Sequence, residues 1–186
     1  MRADAQRNMQ ALLRTAVKVF ATSGVDCPVR RIAEEAGVGV GTVYRHFPTR
    51  ADLIVAVFRH EVDACADAAA ALSAEHEPEE ALRRWIGRYV DFLAAKRGLA
   101  AALHSGDPAY DALPAYFDER LRPALGGLLD SAASAGRIRA GVDPHDLLWA
   151  VASLGASPRG QDPSRARRMI GLLLDGLRHG AGPPAP

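Results

Sequence analysis

Apolar residues return at helical intervals along almost the whole chain. In AQRNMQALLRTAVKVFATSG, Met9, Leu12, Leu13, Ala16, Val17 and Phe20 fall at i, i+3, i+4 and i+7, the stripe of an amphipathic helix. Gly24 is placed to close it as a C-terminal cap. The short segment PVRRIAEEAG follows, with Pro28 in a first turn where a missing N–H breaks no bond, and Gly37 at its end. GVGTVYRHF predicts a third short helix, stopped by Pro48 because the residue before a proline avoids the α region. A fourth helix begins at Thr49, whose spacing to Asp52 is that of a capping box, and runs through ADLIVAVFRHEVDACADAAAALS to a break at EHEPEE. Residues 79–95 are strongly amphipathic through Leu82, Trp85, Ile86, Tyr89, Val90 and Leu93. After a short helix carrying Leu103 and His104 and a turn at 106–108, residues 112–135 predict a long helix. Pro123 should kink it by deleting one backbone hydrogen bond, and Gly136 should cap it. Asp143 and Pro144 open the next helix as N-cap and first-turn proline. SPRGQDP reads as a loop, RARRMIGLLLDGLRHG as the last helix, and GAGPPAP as a frayed tail.

No segment carries the alternation of a strand, so the expected fold class is all-α with about nine helices. A three-helix unit is expected over residues 1–48, a helical body over 49–180 and a disordered tail over 181–186. With 186 residues, 48% of them hydrophobic, the chain can fill a real core. No run of about 18 apolar residues exists, and the polar start MRADAQRNMQALLRT lacks a signal peptide's apolar segment, so a cytoplasmic protein is expected. Cys27 and Cys65 lack zinc-site spacing and read as free thiols; no metal or cofactor is expected. HEVD at 60–63 is not H-E-x-x-H, and no nucleophile–base or paired-carboxylate setting suggests an enzyme. Charge is uneven: residues 1–50 carry eight basic and four acidic side chains, the remainder fifteen and eighteen. A basic head on an acidic body suits a polyanionic partner.

The stretch GVGVGTVYRHFPTR (37–50) decides between two chemistries. A phosphate loop would need G-x-x-x-x-G-K-[ST] after a strand, but Thr42 follows Gly41 where Lys is required. The dinucleotide pattern G-x-G-x-x-G also fails, ending on Thr42 from Gly37 or on Tyr44 from Gly39. A helix-turn-helix fits instead: two short helices joined by a tight glycine turn. Gly37 can take the left-handed conformation that a Cβ resists, and Val38 plugs the space between the helices. Ile32, Ala33, Val43 and Phe47 supply the inward side. Gly39 and Gly41 keep the third helix's N-terminus small, so its free N–H groups can approach a phosphate. Thr42, Tyr44 and His46 offer hydroxyl and imidazole groups to phosphates or base edges.

The run RRIAEEAGVGVGTVYRHFPTRADLIVAVF resembles the DNA-binding region of the TetR family of bacterial repressors, over residues 9–58. The shared pattern is I-A-x-x-A-G-V-x-x-G-T-x-Y-x-[HY]-F, then a helix opening on a Ser/Thr–Lys/Arg pair. The resemblance implies that Thr42 and Tyr44 touch backbone phosphates, that His46 occupies a second contact position and that Arg50 grips a phosphate from the start of the fourth helix. It implies a base-reaching role for Arg30, base-facing places for Val40 and Gly41, and a base or phosphate contact for Arg45. Arg31 is either a further phosphate contact or plain surface. The sequence departs from the family where Cys27-Pro28-Val29 and Gly39 replace the usual hydroxyl-bearing helix starts.

The resemblance further implies a homodimer on a double-stranded, near-palindromic DNA operator, with two heads one turn (roughly 34–36 Å) apart. AGRIRAGVDPHDLLWAVASL resembles the segment leading into the family's dimerisation helices. Candidate interface residues are Leu147, Leu148, Val151 and Leu154, then Met169, Ile170, Leu173, Leu174 and Leu177. A small apolar effector would find candidate lining in Trp85, Tyr89, Phe92, Leu103, His104, Tyr116, Phe117, Leu121 and Trp149; the alternative for each is ordinary core. The expected function is a repressor released from its operator by that effector. The alternatives are a DNA-binding dimer without an effector, or a helical interaction module that has lost DNA binding.

Overall fold

The helical stripes fold as expected. The computed structural model describes residues 2–155 and 163–179. Among them are nine α-helices and no strand: α1 (Arg2–Ser23), α2 (Val29–Ala36), α3 (Val40–His46), α4 (Arg50–Glu75), α5 (Pro78–Lys96), α6 (Ala100–Leu103), α7 (Leu113–Ser134), α8 (Pro144–Gly155) and α9 (Pro163–Gly176). Two 3-10 turns, Arg97–Leu99 and Pro108–Tyr110, flank α6. The tail expected over 181–186 lies outside the described residues, as does most of the SPRGQDP loop. No helix among the described residues is long and apolar enough to cross a membrane.

The chain forms two compact units. The first joins Met1–Glu61 to Ala94–Tyr116, and the second joins Val62–Leu93 to Phe117–Pro186. Helices α4, α5 and α7 therefore each contribute to both.

In the first unit, Leu12, Ala16, Val19 and Phe20 of α1 are buried, with Ile32 and Ala33 of α2, Val43 of α3, and Leu53, Ile54, Val57 and Phe58 of α4. Helix α2 ends where Gly37 takes φ 68°, ψ 28°, and the Val38 and Gly37 amides donate back to Ala33 and Glu34 carbonyls. That left-handed turn costs a glycine little and any side chain more. The capping box at α4 closes both ways. The Thr49 amide donates to Asp52 Oδ2 (2.9 Å) and the Asp52 amide to Thr49 Oγ1 (3.1 Å). The Thr49 hydroxyl and amide together hold the Asp52 carboxyl below its ordinary range. The turn Arg97–Leu99 sits close on α1: a Cβ on Gly98 would lie 2.5 Å from the Phe20 carbonyl oxygen.

In the second unit, α7 buries Leu121, Leu125, Leu128, Leu129 and Ala132. The helix is not broken at Pro123, whose missing N–H falls on the exposed side. Asp143 caps α8 by accepting from the His145 (2.7 Å) and Asp146 (3.3 Å) amides. Glu79 accepts from Arg83 and Arg178, and Arg83 also pairs with Asp175, so ion pairs tie α5 to α9 and the turn that follows it.

Candidate nucleic-acid interface

Helix α3 is built to be held from one side. Val43 is fully buried, and Val38 and Phe47 are half-buried, so the inward stripe is complete without help from the other side chains. Thr42, Tyr44, Arg45 and His46 all stand exposed; Tyr44 presents 49% of its surface, a large outlay for an aromatic residue. Val40 is half-buried and Gly41 exposed. The helix starts on the extended backbone of Gly39 with no side-chain cap, and the Thr42 and Val43 amides donate to the Gly39 carbonyl. A Cβ on Gly41 would meet nothing within 4 Å, and one on Gly39 only the Thr42 hydroxyl at 3.7 Å. The subunit's own packing therefore does not require glycine at either position.

The arginines divide into two groups. Arg30 is largely exposed and donates Nε to Glu34 Oε1 at 2.8 Å, one turn along α2. Arg45 projects from the exposed face of α3. Arg31 donates Nε to Glu35 (2.8 Å) and Nη1 to the hydroxyl of Ser23 (2.9 Å), the last residue of α1. Arg50 is half-buried; its Nη1 donates to the carbonyls of Val25 and of Cys27, the latter at 2.7 Å. Both Arg31 and Arg50 thus hold the connection between α1 and α2. The Cys27 thiol beneath them is pushed up by burial, against the pull of Arg50 and Arg31. Ser23 and the two carbonyls had no signature in the sequence beyond a hydroxyl at a helix end.

The effector candidates fall in both units. In the second unit Trp85, Tyr89 and Phe92 stack along α5 with centroids 5.9 and 6.1 Å apart, and Phe117 closes on Tyr89 and Phe92 at 6.1 and 5.9 Å. Leu121 is buried in the same unit. The polar atoms of this cluster are satisfied internally: Trp85 Nε1 donates to the Cys65 carbonyl (2.9 Å) and the Tyr89 hydroxyl to the Leu148 carbonyl (3.3 Å). Burial raises the Tyr89 phenol far above its ordinary range. Leu103, His104 and Tyr116 belong to the first unit. There His104 is exposed, with Nδ1 2.8 Å from the Ala100 carbonyl, and Tyr116 lies under the Arg59 guanidinium at 4.9 Å. Trp149 is not in the aromatic cluster; it stands 69% exposed on α8.

The interface candidates also separate. Leu147, Leu148, Val151, Ile170, Leu174 and Leu177 are buried within the chain itself, and Leu154 and Leu173 are half-covered. Exposed apolar surface on this helix pair is carried by Met169 together with two residues the sequence reading did not place there, Trp149 and Leu172. Three consecutive leucines sweep about 200° around a helix, so one of Leu172–Leu173–Leu174 must face outward. That geometry was the available signal.

Comparison with known proteins places these features in context. Residues 12–57 match the bacterial regulatory proteins of the tetR family, and residues 77–179 match the C-terminal domain of SbtR-like transcriptional regulators. The crystal structure of the TetR transcriptional regulator SCO0520 from Streptomyces coelicolor is 42% identical, covering 90% of this chain and 97% of that one, with a TM-score of 0.79. A TetR transcription regulatory protein from Mycobacterium vanbaalenii is 37% identical over 95% of this chain and 98% of its own, with a TM-score of 0.76. An HTH-type transcriptional regulator of Staphylococcus aureus (strain USA300) is 42% identical over 64 residues, so the match spans 35% of that curated relative's length.

Proposed function

This chain belongs to the TetR family of helix-turn-helix transcriptional regulators, and we propose that within it the protein is a homodimeric repressor released from a near-palindromic operator by a small apolar effector. The observation that carries the DNA half is the exposed face of α3. Thr42, Tyr44, Arg45 and His46 point away from a stripe that Val43 and Phe47 already fill, beside two glycines that leave the helix start uncovered. Thr42 and Tyr44 would bond phosphates, and Arg45, His46 and Arg30 would reach phosphates or base edges. Such contacts supply affinity through counterion release and sequence preference through base edges.

The pairing surface we assign is the one that α8 and α9 leave bare, with Trp149, Met169 and Leu172 meeting their symmetry mates. A tryptophan at the centre of a symmetric patch is a strong anchor. The effector would enter at the aromatic cluster of α5 and α7, and it can act only through unequal affinity for the DNA-competent and released conformations. Helix α4 gives its first half to the unit that holds α3 and its second half to the other, which makes it the natural lever. A second reading is supported by the closed hydrogen bonding of Trp85 and Tyr89. A cluster already satisfied as core needs no ligand, and the protein would then be a regulator controlled by its own abundance.

The test is selection of genomic DNA fragments by the purified protein, followed by sequencing. A single near-palindromic site is the expected result. Binding without sequence preference would remove the repressor mechanism. A thermal-shift screen of apolar compounds, with each stabilising compound then tested for release of the operator, separates the two readings of the body.

A further inference from the structure

Arg50 occupies a position to which the family resemblance assigns a phosphate contact, and its surroundings give it other work. The side chain leaves the first residue of α4 and turns inward, half-buried, across 23 and 25 residues of chain to the carbonyls of Cys27 and Val25. Those carbonyls belong to the bend between α1 and α2, and α2 begins two residues later at Val29. Pro28 supplies no side-chain cap there. The bend therefore lacks the hydroxyl that commonly fixes a helix start, and a charged donor from α4 holds it instead. Arg31 braces the same bend from the other side through Ser23. Tyr110, buried in the second 3-10 turn, lies close enough for the Arg50 charge to oppose the rise that burial gives its phenol.

We propose that Arg50 is a positioning residue for DNA reading: it fixes the α1–α2 bend, and with it the α2–α3 pair, against the start of α4, and its charge is not spent on a DNA phosphate. This rests on the DNA-binding reading above but makes a separate claim. Affinity should depend on Arg50 while the number of phosphate charges neutralised should not. The two are distinguishable because each phosphate contact contributes about 0.9 to the slope of log K against log salt concentration.

The experiment compares wild-type protein with Arg50→Met on the selected operator across a salt series, with amide hydrogen exchange of residues 24–31 followed in the same samples. The expected result is roughly tenfold weaker binding, the scale of losing charge-assisted hydrogen bonds. The salt slope should equal that of wild type, and the amides around Val25–Arg31 should exchange faster. A slope lower by about 0.9 overturns the proposal, whatever the exchange shows. So does unchanged exchange. Should Arg50→Met fail to fold, nitrogen-15 NMR of the wild-type Arg50 side chain decides. Hindered guanidinium rotation in free protein, unmoved by added operator, supports the positioning role. Free rotation, or a resonance that shifts only when DNA is added, overturns it. If wild-type protein selects no site, the repressor reading fails, and exchange in Arg50→Met still reports whether the bend depends on Arg50.

Discussion

Replacing Gly98 with alanine should destabilise the protein even though alanine is the better residue in a helical turn. The added Cβ would sit 2.5 Å from the Phe20 carbonyl oxygen, 2.7 Å from its carbon and 2.8 Å from the Ala21 Cα. Ordinary contact lies about 1 Å further out. All three neighbours are backbone of α1, so no side chain can swing aside; the Arg97–Leu99 turn or the end of α1 must shift. Overpacking of this kind costs about 1–3 kcal/mol. For a chain of this length each kcal/mol moves Tm by about 2–4 °C, so a fall of about 2–12 °C is expected. Gly87 provides the control. It lies exposed within α5, and a Cβ there would meet nothing within 4 Å. The same substitution at Gly87 should raise stability by up to about 1 kcal/mol. The assay is thermal unfolding of both variants followed by circular dichroism. A Gly98→Ala protein melting at or above wild type would refute the close approach of the turn to α1.

Other outcomes follow from the same structure. Arg45→Ala should lower the salt slope of operator binding by about 0.9 if the side chain meets a phosphate, and Tyr44→Ala should weaken binding to all sequences alike; wild-type-like isotherms for both would remove α3 as the reading element. Trp149→Asp with Leu172→Asp should convert the proposed dimer to monomer in sedimentation velocity while leaving helix content unchanged, because both side chains are already exposed in the single subunit; a persisting dimer would place the interface elsewhere. The Asp143 carboxyl is held below its ordinary 3.8 by the amides of Asp146 and His145. Its stabilising effect is therefore complete above that pH and is lost as pH falls through the lowered value. Asp143→Asn should show a shallower decline of Tm between pH 5 and 2 than wild type, and parallel curves would show that the cap does not titrate.

Local features of this fold were legible in the sequence because their partners sit two to five residues away. Thr49 with Asp52, Asp143 with its following amides, and Gly37 with the carbonyls it closes are all contained in one helical turn. Periodicity also found the inward stripe of α3, and with it the exposed set from Thr42 to His46. Non-local partners left no such trace. Arg50 reads as a free cation until the bend between α1 and α2 folds back onto it, and Gly98 reads as a plain turn until α1 lies against it. The outward placement of Trp149 and Leu172 was hidden for another reason. Both stand beside leucines, and a run such as DLLW or GLLLDG satisfies an inward stripe in more than one rotation of the helix.

Helix α3 is seven residues long, too short to hold its own conformation in water. Its direction is set by what surrounds it: the Gly37 turn that joins it to α2, the buried Val43, and the capped start of α4 two residues beyond Phe47. Helix α2 is in turn held by carbonyl and hydroxyl contacts from Arg50 and Arg31 rather than by a cap of its own. The same compact unit takes in residues 94–116, whose Gly98 rests on the backbone of α1. A segment far along the chain is therefore part of the platform on which α3 stands. Regulation of DNA binding then needs no large rearrangement of the reading face itself. In the proposed dimer, a signal that shifts residues 94–116, or the α4 helix that contributes to both units, would alter the platform and with it the spacing of the two heads. A near-palindromic operator with half-sites one turn apart would penalise that change. The magnitude is bounded by the effector's differential affinity: tenfold tighter binding to the released form supplies about 1.4 kcal/mol and no more.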